Sequence, residues 1–301
     1  MDDIEQKHWA RVQKFNRTLS NQRTGAASAV KGFDFQEMVS IVEILKLAKV
    51  IRGEIAANRP VANIRVEQNS DDAVDDLFIT TIGYRRHVQI KGGGDPSWDA
   101  RLVDAFWSDF FRYRHEPDKL HLELIVASEA AQEKMVRNMA SHDLDRTKVK
   151  ISASQAQLPR PFSQKVVKDL INSVSHTGWH GLKHQSMWSY LLGGWRDSGR
   201  SGSMTRVFRE ISKVSNYTIA SLAKMTPQMR ETLALLENQI PELKFAADGN
   251  RLLVRYRHGS AVFPPYPWKE ILRTFDGRIP ETLEEFEDVL GTRRPRRQGR
   301  K

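Results

Sequence analysis

The clearest helical pattern of apolar and polar positions begins at Phe33, in the segment FDFQEMVSIVEILKLAKVI. Apolar side chains recur there every three or four residues, which predicts an amphipathic helix with one buried face: Phe35, Val39, Val42, Leu45 and Ala48. A more polar helix is predicted before it, from Ile4 to Leu19, within a polar leader that covers residues 1–30.

Short runs with strand patterning follow this helix. Strands are predicted at ANIRVEQ, at residues 76–82 (DLFITTI) and at residues 86–91 (RHVQIK), and a turn at Gly83 makes the last two a hairpin. The pattern then predicts a helix over WDARLVDAFWSDFFRYR and a buried strand at HLELIVAS. A helix over EAAQEKMVRNMA and a last strand at KVKIS follow. Because strands alternate with helices, residues 31–158 are predicted to form an α/β domain with a mixed sheet flanked by helices.

The pattern changes at the prolines of LPRPFS, Pro159 and Pro161. Residues 159–223 are predicted to be mainly helical, and the segment GGWRDSGRSGS interrupts them as a loop. The part SGRSGS lacks the Lys–Ser/Thr ending of a phosphate-binding loop, so it is predicted to be a flexible connection.

A small α+β domain is predicted over residues 224–291. It begins at Thr226–Pro227, an N-cap followed by a proline at the first helical position. The segment ELKFAADGNRLLVRYRHG predicts a hairpin, and PWKEILRTF and PETLEEFEDVL predict two short helices. Residues 292–301 predict a disordered basic tail.

Composition and charge narrow the class of protein. The 301 residues carry a formal net charge of +10, which favours a polyanionic partner such as nucleic acid, although a basic surface kept for solubility gives the same number. No apolar run is long enough for a membrane span, and the polar N-terminus does not resemble a secretory signal. The absence of cysteine excludes disulfides and thiolate metal sites. These features predict a cytoplasmic protein without a membrane partner.

The predicted hairpin concentrates polar chemistry on one side. Residues two apart in a strand point the same way, so Gln89 and Lys91 share a face with His87, whereas Val88 and Ile90 face the core. If the hairpin folds back on itself, the acid at the head of the first strand, Asp76, lies near Gln89 and Lys91. An ordinary turn followed by an exposed strand face would show the same residues.

An acid, an amide oxygen and a lysine suit metal-assisted phosphodiester hydrolysis. Mg²⁺ or Mn²⁺ takes oxygen ligands, which Asp76 and Gln89 can supply. The metal ion polarises the phosphate and activates water, and Lys91 can orient that water and stabilise negative charge. The glycines after Lys91 would let the backbone approach the phosphate closely.

These segments resemble a known superfamily. The order of amphipathic helix, acid-headed strand, turn and Q-x-K strand is similar to the PD-(D/E)XK restriction-endonuclease-like nucleases. More narrowly, GFDFQ, EQNSDDAVDDLFI and VQIK resemble the double-stranded-DNA endonuclease domain of bacterial anti-phage defence effectors, where Gln commonly replaces the Glu of E-x-K. The resemblance covers roughly residues 30–150. It implies a restriction-endonuclease-like core, Mg²⁺-dependent DNA cleavage and a role in antiviral defence.

The resemblance also implies roles for individual residues. Asp76 would be the metal-binding acid, with Asp75 as a competitor for that role. Gln89 would be the second metal ligand, and Lys91 the catalytic lysine. Because Gln89 is neutral, metal affinity would be lower than with Glu.

Two more residues are placed at the edge of the expected site. Gln36 matches the helix position where related nucleases place an acidic or amide residue near the metal, and Glu67 is expected at the site's edge.

Contacts with nucleic acid are expected from four arginines. They lie beside the hairpin turn and in FRYRHEPDK, where aromatic and basic residues interleave: Arg85, Arg86, Arg112 and Arg114. A helix end that packs its aromatics and solvates its charges has the same composition.

Two further groups of residues are candidates for binding sites. His176, His180 and His184 fall four residues apart, as zinc ligands on a helix would, but Gly178 and Gly181 argue against an unbroken helix. The three tryptophans of the helical region are predicted to lie in its core: Trp179, Trp188 and Trp195.

The sequence therefore predicts a metal-dependent double-stranded-DNA endonuclease that works as a homo-oligomer or with partner subunits of a defence complex. Two alternatives stay open. One is a nucleic-acid-binding module with an inactive nuclease core, and the other is a partner-docking subunit whose charge is incidental.

Overall fold

The fold is known from a computed structural model. It describes the whole chain apart from these segments: 23–29, 58, 62, 69–72, 82, 94, 158–159, 176–183, 223–225, 249–250, 257–265, 268–274, 276–277 and 290–301. His176, His180, Trp179, most of the predicted helix PWKEILRTF and the basic tail therefore lie outside the described residues. None of the helices within the described ranges is long and apolar enough to cross a membrane.

Helices and strands alternate through the first two thirds of the chain, as the pattern predicts. The helices are α1 (Asp3–Gln22), α2 (Val30–Ala56), α3 (Ala100–Tyr113), α4 (Glu129–Met139), α5 (Lys165–Val174), α6 (His184–Asp197), α7 (Met204–Val214), α8 (Pro227–Gln239) and α9 (Leu283–Val289). The strands are β1 (Arg65–Glu67), β2 (Leu77–Thr81), β3 (Tyr84–Lys91), β4 (Leu120–Val126), β5 (Lys150–Ala153), β6 (Ser201–Ser203), β7 (Leu243–Asp248), β8 (Arg251–Tyr256) and β9 (Tyr266–Pro267).

A mixed six-stranded sheet forms the centre of the α/β part, with the strand order β5-β4-β3-β2-β1-β6. β1, β2 and β3 form an antiparallel meander, whereas β4 and β5 continue the sheet parallel to β3. β4 is parallel because α3 carries the chain back across the sheet, the connection that parallel strands require. The predicted α/β class with a mixed sheet flanked by helices is confirmed.

Each face of this sheet has its own apolar core. One face packs against α2, α5, α6 and α7, and this core includes Val88 and Ile90 of β3 together with Trp188 and Trp195. The opposite face packs against α3 and α4 and includes Leu122 and other residues of β4. The alternation predicted for β3 and the core positions predicted for the two tryptophans are therefore confirmed.

The N-terminal helix is part of the α/β fold. It covers residues 3–22, slightly more than predicted, and its Val12 is buried in the core that contains α3. The ring of His8 stacks on Trp107 at 4.3 Å, and Arg11 forms a salt bridge of 2.8 Å with Asp104. These contacts fix α1 on α3, which the polarity of the single residues did not indicate.

The expected flexible loop SGRSGS contains a strand, so that prediction is wrong. Ser201 to Ser203 form β6, which pairs antiparallel with β1 and extends the central sheet. The cause is a long-range ladder, with Arg65 opposite Ser203 and Glu67 opposite Ser201, which local composition cannot reveal. The residues after Pro161 thus add a strand to the central sheet, as well as helices that pack against one of its faces.

The C-terminal part has a third apolar core of its own, built from α8, α9 and the strands β7 and β8. Thr226 caps α8 as predicted, since its hydroxyl oxygen accepts a hydrogen bond of 3.2 Å from the Met229 N–H. The predicted hairpin is also observed, with Asp248 opposite Arg251.

Candidate active site

The polar residues singled out in the hairpin meet at one end of the central sheet. Leu77 lies opposite Val88, so the preceding Asp76 lies beside Gln89, and Lys91 ends β3 at the same edge. Strand β1 brings a further residue to this end, because Glu67 lies opposite Phe78.

Asp76 is the centre of a hydrogen-bond network. Its Oδ1 accepts a hydrogen bond of 2.7 Å from the Gln36 amide on α2. Its Oδ2 accepts hydrogen bonds from the Gln89 amide and, at 2.6 Å, from the backbone N–H of Ile90. Asp76 is only 5% exposed, so these donors replace most of the water that would otherwise solvate its carboxyl group.

Burial raises the pKa of Asp76 from 3.8 to about 7, because removal from water disfavours the charged form. The negative charge of Asp75 acts in the same direction, whereas the Ile90 N–H, Lys91 and Gln89 partly oppose the rise. A carboxyl group that titrates near neutral pH at the end of a sheet is typical of functional sites, although structural networks also produce such shifts.

Of the two neighbouring acids, Asp76 is the one that the network holds. It bonds to α2 and β3, while Asp75 is half-buried and influences it through charge. Lys91 is also half-buried, and its charge lowers the pKa of Asp76. Gln36, which the sequence placed only at the edge, is a direct partner of Asp76.

A buried carboxylate on α3 anchors the segment that leads to the acids. Asp109 accepts hydrogen bonds of 3.1 Å from both the Ala73 and Val74 N–H groups and contacts His87 Nδ1 at 2.7 Å. Asp109 and His87 are each fully buried. Sequence reasoning missed this residue, since an acid inside an apolar helix was the only available signal.

The glycines that follow Lys91 include one with a structural role. A Cβ atom on Gly92 would lie 2.8 Å from the ring of Phe35, so the glycine allows α2 to approach the end of β3. This contact fixes Phe35, whose neighbour Gln36 reaches Asp76. Gly92 is therefore needed for packing. The expected close approach of this backbone to a phosphate stays a prediction.

The structure separates the four arginines expected to bind nucleic acid from the candidate active site. Arg85 lies six residues before Lys91 on β3, which is about 20 Å at 3.3 Å per residue. The guanidinium groups of Arg85 and Arg112 lie over the ring of Tyr113, at 4.8 and 5.5 Å from its centroid. Tyr113 is the last residue of α3, and Arg114 is the C-cap of that helix. This group therefore lies at the opposite end of the sheet.

Arg86 is engaged within the protein. Its guanidinium forms salt bridges with Glu43 at 2.6 Å and with Glu123 at 2.5 Å. Both carboxylates are buried, so they neutralise the arginine and hold it against the sheet. Arg86 therefore serves to stabilise the sheet.

Two arginines that sequence reasoning missed lie near Gln36. The buried carboxylate of the next residue, Glu37, accepts hydrogen bonds from Arg196 and, at 2.9 and 2.7 Å, from Arg200. Burial alone would raise the pKa of Glu37, but these two partners outweigh it and lower the pKa. The carboxylate is therefore ionised at neutral pH. These pairs link positions more than 150 residues apart, so a local sequence pattern cannot predict them.

Other candidate metal ligands do not assemble. In the part of the chain that the structure describes, no group of three or more His, Asp or Glu side chains is arranged to hold a metal ion. His184, the one described member of the expected zinc group, contacts Asn172 at 3.0 Å. Gln36 and Gln89 could still offer amide oxygens to a metal ion.

The chain is thus an α/β protein with a polar candidate site at one end of its central sheet. This site contains a buried acid, two amides and a lysine. Comparison with known proteins finds no family model that matches the chain, and no match among the curated proteins or the solved structures.

Proposed function

We propose that this protein is a metal-dependent endonuclease that hydrolyses phosphodiester bonds of double-stranded DNA. The observation that carries the proposal is the network around Asp76. A buried carboxyl group, two side-chain amides and a lysine, drawn from α2, β3 and the head of β2, converge at one end of the sheet. The net charge of +10 favours a polyanionic substrate.

The order of elements gives further support. Helix α2, strand β2 headed by Asp76, a turn and strand β3 with Gln89 and Lys91 follow one another in the order on which the resemblance to restriction-endonuclease-like nucleases rests. The acid precedes the second strand of the meander, and Gln89 and Lys91 lie on the third.

The donor set fits Mg²⁺ or Mn²⁺ in its chemistry. Asp76 offers carboxylate oxygens, and Gln36 and Gln89 each offer an amide oxygen once the amide turns over. In the structure both amides direct nitrogen at Asp76, so binding a cation requires each amide to rotate. A bound cation would polarise the scissile phosphate and lower the pKa of water.

Lys91 has a separate role in this proposal. Its ammonium group contributes positive charge beside Asp76 without being a metal ligand. There it orients the attacking water and stabilises the negative charge that develops on the phosphate. Asp109 holds the backbone at Ala73 and Val74, and so positions the acid from behind.

Plasmid digestion tests the proposal. Supercoiled DNA is incubated with the protein in Mg²⁺ or Mn²⁺, with EDTA as the metal-free control, and with the variants Lys91→Ala and Asp76→Ala. We expect metal-dependent nicking that both variants lose, while Lys91→Ala still binds DNA. Cleavage that persists in both variants would refute the assignment of the site.

One observation favours a second candidate, a DNA-binding module with an inactive nuclease core. Among the described residues, the side-chain hydrogen bonds to Asp76 join one carboxyl group to two amides, those of Gln36 and Gln89. A single acid binds a divalent cation weakly. Retained DNA binding by the wild-type protein, with no cleavage at millimolar Mg²⁺ or Mn²⁺, would establish this alternative.

A role as an effector of bacterial anti-phage defence is proposed on the resemblance alone. The C-terminal unit of α8, β7, β8 and α9 has its own core and is the part we assign to oligomerisation or partner binding. Loss of protection against phage in cells that carry Lys91→Ala, with protein levels unchanged, tests this role.

A further inference from the structure

We propose that Arg196 and Arg200 form a DNA-backbone clamp beside the candidate active site, held in place by Glu37. This inference rests on the proposed function for its substrate. It assigns phosphate binding to the helical region rather than to the arginines around Tyr113.

The clamp is fixed before any ligand binds. Arg196 uses Nε, at 3.0 Å, and one terminal nitrogen to contact Glu37, and Arg200 contacts the same carboxylate. Arginine loses considerable side-chain freedom when it binds a phosphate, and an internal anchor lowers that cost. The side chains of Arg196 and Arg200 nevertheless stay 52% and 37% exposed, so part of each remains accessible to a ligand while their anchor is buried.

The sheet register places the clamp at the same end as the acid. The Gln68 N–H donates a 3.0 Å hydrogen bond to the Arg200 carbonyl, and β1 pairs next with β2, where Glu67 lies opposite Phe78. Arg200 is therefore two strands from the start of β2, about 10 Å away at the usual strand spacing. That distance corresponds to about three nucleotides along one strand of a duplex.

The backbone at Arg200 supports a functional reading. Its φ of 53° lies in the left-handed region, which a non-glycine residue adopts at a cost. Gly199, beside it, also has a positive φ of 73°. Glycine at position 200 would adopt this backbone conformation at a lower cost in free energy. The presence of arginine there therefore indicates that its side chain has a function.

The local charges favour a polyanion. Within the trio of Glu37, Arg196 and Arg200, two guanidinium groups meet one carboxylate, so the trio itself carries one more positive charge than negative. Asp34, exposed on α2, lies near enough to act on Arg196 electrostatically and offsets part of that excess. Removing the Asp34 charge should therefore strengthen DNA binding, opposite to the effect of removing an arginine.

DNA affinity measured without cleavage tests the clamp. Fluorescence anisotropy with a short labelled duplex, in EDTA and at several salt concentrations, compares wild type with Arg196→Ala and Arg200→Gly. Glycine accepts the left-handed backbone, so the second variant removes only the side chain. We expect each variant to bind about tenfold more weakly, with the salt dependence reduced by about one phosphate contact. Asp34→Asn should bind more tightly.

Two controls separate DNA contact from structural support. Arg85→Ala makes the same charge change at the far end of the sheet and should leave affinity within about twofold of wild type, as expected for a site outside the contact. The triple variant Glu37→Gln, Arg196→Ala, Arg200→Gly removes the buried acid with its partners, so thermal stability should stay near that of wild type while affinity falls.

The outcomes are distinct from those of the cleavage test. Weaker binding by a stable triple variant supports the clamp whether or not the protein cuts DNA. Normal affinity in the triple variant would show that the arginines serve only to neutralise Glu37, and would overturn the inference even if cleavage occurs. Equal losses in Arg85→Ala, or no DNA binding by wild type, would also overturn it.

Discussion

Replacing Asp76 by Asn should stabilise the metal-free protein at alkaline pH. Asp76 is almost fully buried, and its ionisation is opposed by that burial and by the charge of Asp75. Asparagine has the same shape and does not ionise. Its oxygen can accept the Ile90 N–H, and rotation of one neighbouring glutamine amide can supply an oxygen for its NH₂ group.

The magnitude follows from linkage between proton binding and folding. The folded pKa of Asp76 is about 7 and the ordinary value is 3.8, so the folded protein holds the proton more tightly than the unfolded chain. Stability therefore falls as pH rises from about 4 to about 7 and is constant on either side. At about 1.4 kcal/mol for each pKa unit, ionised Asp76 costs about 4 kcal/mol above pH 7.

Urea unfolding followed by circular dichroism measures this cost. Wild type and Asp76→Asn are compared in EDTA from pH 4.5 to pH 8.5, and the difference between their unfolding free energies cancels the other titrating groups. We expect Asp76→Asn to gain stability progressively with pH, towards about 4 kcal/mol at pH 8. Asp75→Asn serves as the control and should give a smaller gain, since it removes only one of the contributions that raise the pKa of Asp76.

A difference that does not change with pH would refute this reasoning, because it would mean that Asp76 ionises equally easily in the folded and unfolded states. A wild-type protein that becomes relatively more stable as pH rises would reverse the sign, and would indicate that hydrogen bonds and Lys91 outweigh burial.

Three further predictions concern neighbouring parts of the molecule. Gln89→Glu should lower the Mg²⁺ concentration that gives half-maximal cleavage, and should reduce metal-free stability at pH 8 by about 2 kcal/mol or more, because it places a second carboxylate against Asp76. Asp109→Asn should cost about 3 kcal/mol of unfolding free energy, since an amide cannot accept from all three donors, and should reduce cleavage more than DNA binding. Gly194→Ala should cost about 3 kcal/mol, because its Cβ would lie 2.4 Å from the Ile211 Cα.

For Gln89→Glu, Mg²⁺ should restore stability, and an unchanged metal requirement would contradict a ligand role at position 89. For Asp109→Asn, an equal loss of binding and cleavage would indicate general unfolding instead of displacement of the acid segment. Gly193→Ala, whose Cβ would meet Val214 at 3.2 Å, is the matched control for Gly194→Ala, and equal effects would contradict the close packing of α6 on α7.

The sequence predicted those parts of the fold that depend on local pattern. The apolar spacing of α2 and the alternation of β3 both report which side of an element is buried, so Val88 and Ile90 were placed correctly. The proximity of Asp76 to Gln89 followed from the same alternation and from the turn at Gly83, which folds the two strands into a hairpin.

Features that depend on distant contacts were beyond that reasoning. Strand β6 has only three residues with glycine at its centre, and it exists because β1 pairs with it. Arg86 and Arg196 look alike in sequence, yet one is neutralised by two buried acids and the other stays half exposed. Only the tertiary structure distinguishes an arginine that stabilises the sheet from one that can meet a phosphate.

The neutral residue at position 89 follows from the burial of Asp76. A glutamate there would set a second carboxylate against one whose pKa is already raised to about 7, so the metal-free site would hold extra protons or lose stability. An amide avoids this because it has two useful orientations: its nitrogen donates to Asp76 without metal, and its oxygen can face a cation. Gln36 has the same property. The proposed site can therefore pass between its metal-free and metal-bound states by rotating two amides, at the expense of weaker metal binding than two carboxylates would give.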